Sequence, residues 1–209
     1  MPVRCAPAGV RSVVSGNRLA GTVCPAQHSG SVDVFLEALY GAEPGDVLVV
    51  DNGGRLDESC VGDLVAREVQ AAGLVGIVIW GLHRDTADLE AIGLPVFSLG
   101  AISTGPLRLD PRTGDALESA RVGDWTVGRD DLVLADDDGG LFVPTGRAEE
   151  IFHLAETIRD TERHQADRIR AGASLRSQLQ FDTYLQKRLQ DPALTLRDHL
   201  RAIGGAVEV

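Results

Sequence analysis

The chain has 209 residues, 44% of them hydrophobic, and carries 20 Lys and Arg against 31 Asp and Glu for a formal net charge of −11. This composition is ample for a packed core, and the negative charge argues against non-specific binding to nucleic acid. The sequence has neither a signal-peptide pattern nor an apolar run near the roughly 20 residues of a membrane helix. We therefore expect a cytoplasmic protein with no membrane or nucleic-acid partner.

Cysteine and lysine usage narrows the chemistry. Cys5, Cys24 and Cys60 show no C-x-x-C spacing, so neither a disulfide framework nor a zinc ribbon is indicated, and Cys60 is better explained as a buried filler than as a catalytic thiol. The only lysine is Lys187, in a segment that predicts a C-terminal helix. Schiff-base chemistry is therefore disfavoured, and an aldolase or decarboxylase here would need a metal to stabilise its enolate.

The first third of the chain predicts alternating strands and helices. Residues 1–17 predict irregular chain, 18–23 a strand, and 25–30 a loop carrying His28, with the rim of a site as an alternative role. Ser31 is expected to cap a helix over 32–40. The side chains expected on its inner face are Phe35, Leu36 and Leu39.

Two β-loop-α units follow. Residues 46–51 predict a buried strand that ends in the loop Asn52-Gly53-Gly54, and a helix follows from Gly62. Repetition of the unit favours a parallel or mixed sheet with helices packed on it. The loop is not a G-x-G-x-x-G and no P-loop lysine exists, so dinucleotide and nucleoside-triphosphate binding lack their motif.

Residues 62–88 hold the candidate site. Gly62-Asp63 opens a short amphipathic helix, with Leu64, Val65 and Val69 expected on one side, and residues 76–80 predict a buried strand. His83, Arg84 and Asp85 follow at the carboxyl end of that strand, which is where open α/β sheets bind ligands.

Arg84 and Asp85 suit the binding of a metal-bound keto acid. A guanidinium can hold a carboxylate through two hydrogen bonds, and the adjacent carboxylate can bind a hard cation such as Mg²⁺. The backbone N–H groups at a helix start near Gly62 would also favour an anion. The alternative is a surface ion pair that caps the next helix, expected over 86–92.

The rest of the core predicts further strands, at 96–99, 125–127 and 132–135. Asp136-Asp137-Asp138-Gly139-Gly140 invites a metal hypothesis, but Asp-Gly between two apolar runs is a strong hairpin signal. Beyond it, 147–170 predicts a charged amphipathic helix and 174–189 a second helix. This arm would fold over its own domain or reach a neighbouring subunit.

Several of these stretches together resemble one family. They are G-D-V-L-V-V-D-N-G-G, G-D-L-V-A, G-L-V-G-I-V-I-W-G-L-H-R-D, G-L-P-V-F and A-D-D-D-G-G-L-F-V-P. The chain is similar over 18–144 to the RraA-like family, which includes regulator of ribonuclease activity A and the metal-dependent 4-hydroxy-4-methyl-2-oxoglutarate / 4-carboxy-4-hydroxy-2-oxoadipate aldolases. As in the aldolase motif, 22 positions separate Gly62 from Arg84, and Asp85 follows.

The resemblance implies an α/β fold. The expected architecture is a swivelling β/β/α core with a central mixed sheet flanked by helices over 1–146, followed by a C-terminal helical arm over 147–209. It also implies homotrimers or homohexamers with active sites between subunits.

The resemblance also assigns roles residue by residue. Asp85 resembles the ligand of Mg²⁺ (or Mn²⁺), Arg84 the group that binds the substrate, and Asp63 a residue that holds metal-bound water. The backbone N–H groups of Leu64 and Val65, after Gly62, resemble the cradle of the pyruvyl carboxylate. A glutamate of the adjacent subunit's arm also contributes in the aldolases, and Glu162 is the better match, with Glu156 as an alternative.

The resulting hypothesis is a divalent-metal-dependent lyase, an aldolase or oxaloacetate decarboxylase, that releases pyruvate from a small 2-keto acid. The competing hypothesis is a non-catalytic regulator that binds an RNA-processing enzyme. Two departures stand out: the helix that usually precedes the first strand looks shortened, and His83 replaces a usually apolar residue. A third hypothesis gives His83 an acid/base role in a lyase or hydratase with another substrate.

Overall fold

A computed structural model describes residues 3–204. The chain divides into two compact units between Ala148 and Glu149. The first unit contains all the strands of the described chain: β1 Arg4–Cys5, β2 Arg11–Ser12, β3 Leu19–Gln27, β4 Val47–Asp51, β5 Ser59–Val61, β6 Gly76–Trp80, β7 Leu82–His83, β8 Val96–Ser98, β9 Ser119–Val122, β10 Trp125–Gly128, β11 Asp131–Asp136 and β12 Gly139–Pro144. The helices are α1 Asp33–Tyr40, α2 Asp63–Ala71, α3 Thr86–Ile92, α4 Ala148–Arg170, α5 Leu175–Gln178, α6 Phe181–Gln190 and α7 Leu196–Ile203.

A mixed sheet forms the centre of the first unit. Its eight strands run in the order β1-β12-β11-β3-β4-β6-β8-β2. The inner strands β3, β4, β6 and β8 are parallel, and the flanking pairs are antiparallel. Each parallel crossover passes through one of the helices α1, α2 and α3. The expected α/β class and mixed sheet are thereby confirmed.

The parallel strands are buried on both faces. Leu48 and Val50 of β4 pack in one cluster with Phe35 of α1, while Val47 and Val49 pack in a second cluster with the strands β9 to β12. Strands buried on both faces read as unbroken apolar runs. This explains why the sequence alone located β4 and β6.

The N-terminal region departs from the prediction of irregular chain. The short strands β1 and β2 extend the sheet at its two ends, pairing with β12 and β8. Strand β3 also continues through Pro25 into the expected loop. Pro25 is tolerated because β11 pairs with β3 only as far as Thr22, which leaves that edge of β3 without a ladder to interrupt.

The three consecutive aspartates form a turn. Strands β11 and β12 pair antiparallel with Asp136 opposite Gly139, so Asp137 and Asp138 are the two loop residues. The backbone N–H of Gly16 donates to the Asp137 carboxylate (2.9 Å). Among residues 3–204 no group of three or more His, Cys, Asp or Glu side chains could hold a metal ion. The hairpin prediction is confirmed, and the metal alternative for this turn stays a prediction.

The second unit is helical. The helix expected over 174–189 is broken into α5 and α6 at Gln180, whose φ is +48°. Ser174 caps α5 by accepting from the Ser177 N–H, and the ring of His199 bonds through Nε2 to the carbonyl of Leu179 (2.9 Å). His199 packs against Tyr184, with ring centroids 5.6 Å apart. His199 therefore belongs to the core of this unit.

Candidate active site

A two-stranded parallel pair brings distant segments of the sequence together. Strands β5 and β7 align Ser59 with Leu82 and Val61 with His83, and the Arg84 N–H donates to the carbonyl of Val61 (3.0 Å). The residues that follow the two strands, Gly62 and the Arg84-Asp85 pair, therefore lie side by side. This backbone pairing brings together the two segments of the candidate site.

Glycine is required at position 62 because the side chains of Arg84 and Asp85 lie close to its backbone. Its φ of −136° is ordinary, so backbone conformation does not demand glycine. A Cβ at this position would lie 2.4 Å from Asp85 Oδ2 and 3.0 Å from Arg84 Nε. Any side chain here would displace the carboxylate and the guanidinium from their places at the start of α2.

Asp85 has a strained backbone. Its φ of +59° and ψ of +41° place it in the left-handed region, which costs an L-residue about 1–2 kcal/mol. Although Asp85 is the N-cap residue of α3, its side chain makes no capping hydrogen bond. Strain at a residue with a functional side chain is typical of active sites. The alternative of a surface ion pair at the start of α3 agrees with the position of Arg84 and Asp85, but the side-chain capping hydrogen bond that it implies is absent.

The side chains of Arg84 and Asp85 are accessible. Arg84 Nε lies 3.3 Å from Asp85 Oδ2, and the two side chains are 45% and 36% exposed. Exposed ion pairs of this kind contribute little to stability. Both groups are therefore available to a ligand at small energetic cost.

A cleft of about 460 Å³ lies beside Gly62. Its charged lining is Asp63, Arg67, Glu68 and Arg84, and its apolar lining includes Val32, Leu36, Leu64, Val65 and Pro106. The two arginines are matched by the two carboxylates, so the side chains of the lining carry no net charge in a chain whose net charge is −11. An anionic ligand with an apolar portion fits this lining.

Backbone amides at the start of α2 add partial positive charge to the cleft. The first intrahelical bond runs from the Ala66 N–H to the Gly62 carbonyl (3.1 Å), so the N–H groups of Leu64 and Val65 precede the helix ladder. Gly62 has no side chain to cap them. This is the arrangement in which a helix N-terminus binds a carboxylate.

Leu64 does not share the buried side of α2 with Val69, although the sequence grouped the two on one side. Its side chain is 72% exposed, and the fully buried residues of the helix are Ala66 and Val69. On the facing helix α1, Phe35 is buried but Leu36 is 44% exposed, so its predicted inward orientation is also wrong. Both leucines line the cleft instead of the core.

The side-chain chemistry fits a water-rich Mg²⁺ site. Mg²⁺ commonly takes one or two protein carboxylates and keeps several waters, so a cage of ligands is not required. Asp85 presents a carboxylate at a position that only a glycine opposite leaves open, and Asp63 carries a second carboxylate in the cleft. Asp63 also lies within ion-pair distance of Arg67, with 3.8 Å between Oδ2 and Nε.

His83 is a buried, fully bonded residue. Its Nδ1 is 2.7 Å from Ser98 Oγ, its Nε2 is 3.1 Å from Thr86 Oγ1, and only 4% of the residue is exposed. Burial lowers the pKa of His83 below the ordinary value for histidine. His83 lines a different pocket from Arg84, so the structure gives no support to His83 as an acid or base in the cleft.

Cys60 borders the cleft but is inert. The residue is buried, its thiol lies 3.8 Å from the carbonyl of Leu82, and burial raises the pKa of the thiol far above the neutral range. A thiol that stays protonated is a poor nucleophile. The expectation of a buried filler agrees with this environment.

Sequence reasoning missed a buried polar cluster next to the cleft. Glu58 is fully buried and accepts hydrogen bonds from the Leu107 N–H (2.7 Å) and Arg108 Nε (3.0 Å). Arg108 Nη2 also donates to Asn52 Oδ1 (2.8 Å), which accepts a further bond from His28 Nδ1 (2.9 Å). His28 lies in the loop after β3, as expected, but its side chain is buried in this cluster. The only signal in the sequence was a glutamate next to the β5 strand.

The glutamates matched from the resemblance lie on α4 of the second unit. Glu162 and Glu156 are both exposed there, and Glu156 is 3.9 Å from Arg159. Their expected contribution to a neighbouring subunit's site stays a prediction.

The chain is similar to proteins of a known family. A family model described as RraA-like (Aldolase/RraA) matches residues 3–141. The chain belongs to the RraA-like family. This confirms the resemblance read from the sequence motifs, and the aldolase and regulator names are both found among its relatives.

Curated and solved relatives agree on the family. A protein of Halalkalibacterium halodurans, provisionally named 4-hydroxy-4-methyl-2-oxoglutarate aldolase, is 28% identical over 150 residues, which are 72% of this chain and 64% of that protein. The match therefore spans less than two thirds of that relative. Streptomyces coelicolor RraAS2, described as an unusual member of the RNase ES inhibitor RraA family, is 28% identical with a TM-score of 0.67, covering 79% of this chain and 85% of that one. An uncharacterised Pseudomonas syringae structure is 26% identical with a TM-score of 0.71, covering 82% of each chain.

These structural neighbours confirm the RraA-like fold. Over residues 3–204, none of the helices combines the length and the hydropathy needed to cross a membrane.

Proposed function

We propose that the protein is a divalent-metal-dependent lyase that cleaves a carbon–carbon bond of a small 2-keto acid and releases pyruvate. The observation that carries the proposal is the strained Asp85, whose carboxylate lies over Gly62 beside the accessible Arg84. The aldolase name of the Halalkalibacterium halodurans relative supports it. The substrate class is 4-hydroxy-4-methyl-2-oxoglutarate or a related 2-keto acid, including oxaloacetate.

The cleft residues would bind and orient the keto acid. The N–H groups of Leu64 and Val65 would hold the carboxylate of the pyruvyl portion, and the adjacent Arg84 would also bind its oxygens. Cleavage leaves negative charge on the pyruvyl portion. Preorganised donors placed where charge develops lower the barrier more than donors that must reorient, and Arg84 is such a donor.

Asp85 would hold Mg²⁺ or Mn²⁺, with Asp63 oriented toward bound water. When bound there, the cation would supply Lewis-acid polarisation of the keto group. Asp63 would carry a proton in the cleft, and Glu162 of a neighbouring copy, with Glu156 as the alternative, would complete the site. This part of the proposal implies a homotrimer or homohexamer.

The test is pyruvate release by the purified protein. Pyruvate would be measured with lactate dehydrogenase and NADH after addition of 4-hydroxy-4-methyl-2-oxoglutarate or oxaloacetate, with Mg²⁺, with Mn²⁺ and with EDTA. We expect release above a protein-free blank with either cation, and no release above the blank with EDTA or from the folded variant Asp85→Ala. The blank is needed because oxaloacetate loses CO₂ spontaneously, and faster with divalent cations. Full activity of that variant would refute the assignment.

A second candidate function is regulation of a ribonuclease, which the similarity to Streptomyces coelicolor RraAS2 favours. A regulator would form a stoichiometric complex with an RNA-processing enzyme in the presence of EDTA, and the complex would survive Asp85→Ala. Absence of pyruvate release together with such a complex would select this function over the lyase.

A further inference from the structure

One wall of the cleft includes Pro106, which lies in a segment without secondary structure. Residues 104–107 run between the end of the sheet and the buried cluster, and Pro106 lines the cleft. Gly105 lies against Arg84, since a Cβ at Gly105 would be 2.8 Å from Arg84 Nη1. The position of this segment therefore limits where the Arg84 guanidinium can lie.

Both ends of the segment are bonded to the residues that lead into Gly62. Ser59 donates from its N–H and its Oγ to the Thr104 carbonyl, each at 2.8 Å. Glu58 accepts from the Leu107 N–H at 2.7 Å. Only Gly105 and Pro106 lie between the two bonded residues Thr104 and Leu107. The neighbouring residues Glu58 and Ser59 therefore hold this wall next to the segment that leads into Gly62.

The Glu58 carboxylate is held in turn by Arg108. Oε1 accepts from Arg108 Nε (3.0 Å), and Arg55 Nε lies 3.2 Å from the same oxygen. Burial alone would raise the pKa of Glu58, but the Leu107 N–H and the Arg108 guanidinium outweigh it and hold that pKa below its ordinary value. The carboxylate is thus ionised, and a fully buried charge keeps its partners because losing one is costly.

Arg108 extends the same network to the carboxyl ends of two central strands. Its Nη2 donates to the His28 carbonyl after β3 and to Asn52 Oδ1 after β4, each at 2.8 Å. The wall of the cleft is therefore connected by hydrogen bonds to the ends of the central strands.

We propose that Glu58 is a positioning residue for substrate binding, which with Arg108 fixes the Gly105-Pro106 wall and through it the orientation of Arg84. The inference rests on the proposed lyase function for its substrate. Glu58 does not touch the cleft's ligand in this scheme, because its carboxylate is fully buried. Its effect passes through Gly105 to the guanidinium.

The test compares Glu58→Gln with Asp57→Asn. The glutamine keeps the shape of Glu58 but turns an –NH₂ group toward either the Leu107 N–H or Arg108 Nε, both of which are donors. Asp57 is the adjacent carboxylate, 57% exposed and paired with Arg55, so its neutralisation is the matched control. Oxalate, a dianion shaped like the enolate of pyruvate, is the probe, titrated calorimetrically in Mg²⁺.

For Glu58→Gln we expect an oxalate Kd raised by about tenfold and a KM raised more than kcat falls, because the loss of a charged hydrogen bond at the wall is felt at Arg84. Hydrogen–deuterium exchange of the Leu107 amide should accelerate in the same variant. Asp57→Asn should leave the exchange and the Kd unchanged. A folded Glu58→Gln protein with wild-type exchange and wild-type Kd would overturn the inference.

If Glu58→Gln does not fold, Gly105→Ala tests the same link, since its Cβ would push Arg84 Nη1 without disturbing the buried network. A wild-type oxalate Kd for Gly105→Ala would overturn the inference. Failure of the wild-type protein both to bind oxalate and to release pyruvate would instead remove the lyase function, and the substrate role of Glu58 with it.

Discussion

Two arginine–carboxylate pairs near the cleft differ in burial and in backbone strain. The Arg108–Glu58 pair has a fully buried carboxylate whose oxygens are bonded to a backbone amide and a guanidinium. The Arg84–Asp85 pair is more than one third exposed on each side and sits on a strained backbone. The buried pair thus serves the architecture, whereas the exposed pair keeps its charges accessible at a cost in stability. The comparison indicates that ligand chemistry belongs to the second pair.

The largest expected effect comes from Asp85→Gly. Glycine adopts a φ of +59° without penalty, so the free energy of unfolding should rise by about 1 kcal/mol and Tm by about 2–4 °C, while pyruvate release is abolished. Thermal unfolding and the pyruvate assay measure the two quantities. Asp85→Asn, which keeps a side chain at the same backbone angle, should lose activity without gaining stability. Activity retained in Asp85→Gly would refute the proposed role of the Asp85 carboxylate in binding the metal ion.

The next effect is that of Gly62→Ala. The added Cβ would meet Asp85 Oδ2 at 2.4 Å and force the exposed pair to move, whereas the ordinary φ of Gly62 allows alanine in the backbone. We expect a loss of kcat/KM on the order of 100-fold, as for a misplacement of about 1 Å, with little change in Tm. Gly114→Ala, where a Cβ meets nothing within 4 Å, is the control. Equal kcat/KM for the two variants would contradict the close approach.

The same contrast between pairs explains what the sequence could and could not predict. Strands buried on both faces, such as 76–80, and the helix at 86–92 follow from local apolar runs and glycine breaks, and the structure confirms both. The family resemblance brought Gly62 together with Arg84 and Asp85. From residue chemistry alone, a surface ion pair that caps α3 is the favoured interpretation.

Partners within irregular segments could not be predicted. Glu58 and Arg108 are 50 positions apart in connections that have no periodicity, so no pattern links them. The separation of Leu64 from Val69 could not be predicted for a related reason: the apolar pattern of a helix does not show whether a residue at its start faces the core or a cleft. The break at Gln180 has no glycine or proline to announce it.

A smaller, pH-dependent effect is expected from the buried histidines His28 and His83. Burial lowers the pKa of each below its ordinary value, so the unfolded chain binds more protons than the folded one just below pH 6.5. The contribution of these two groups to the free energy of unfolding should therefore be full above pH 6.5 and decline as the pH falls. Urea unfolding at pH 7.5 and pH 5.5 measures it. His83→Asn should flatten the dependence, and the exposed-site variant His164→Asn should not.

The smallest effect on stability should come from Leu64→Ala. Because the side chain is 72% exposed, its truncation should change the free energy of unfolding by no more than about 0.5 kcal/mol, whereas Val69→Ala in the same helix removes fully buried methyl groups and should cost about 2 kcal/mol. Leu64 nevertheless lines the cleft next to Arg84. If the backbone amide of Leu64 binds a carboxylate under that side chain, Leu64→Ala should raise the Kd for oxalate in Mg²⁺. Calorimetric titration of both variants separates the roles: weakened binding without instability for Leu64, and instability without weakened binding in the folded fraction for Val69. The reverse pattern would place Leu64 in the core and remove it from the binding surface.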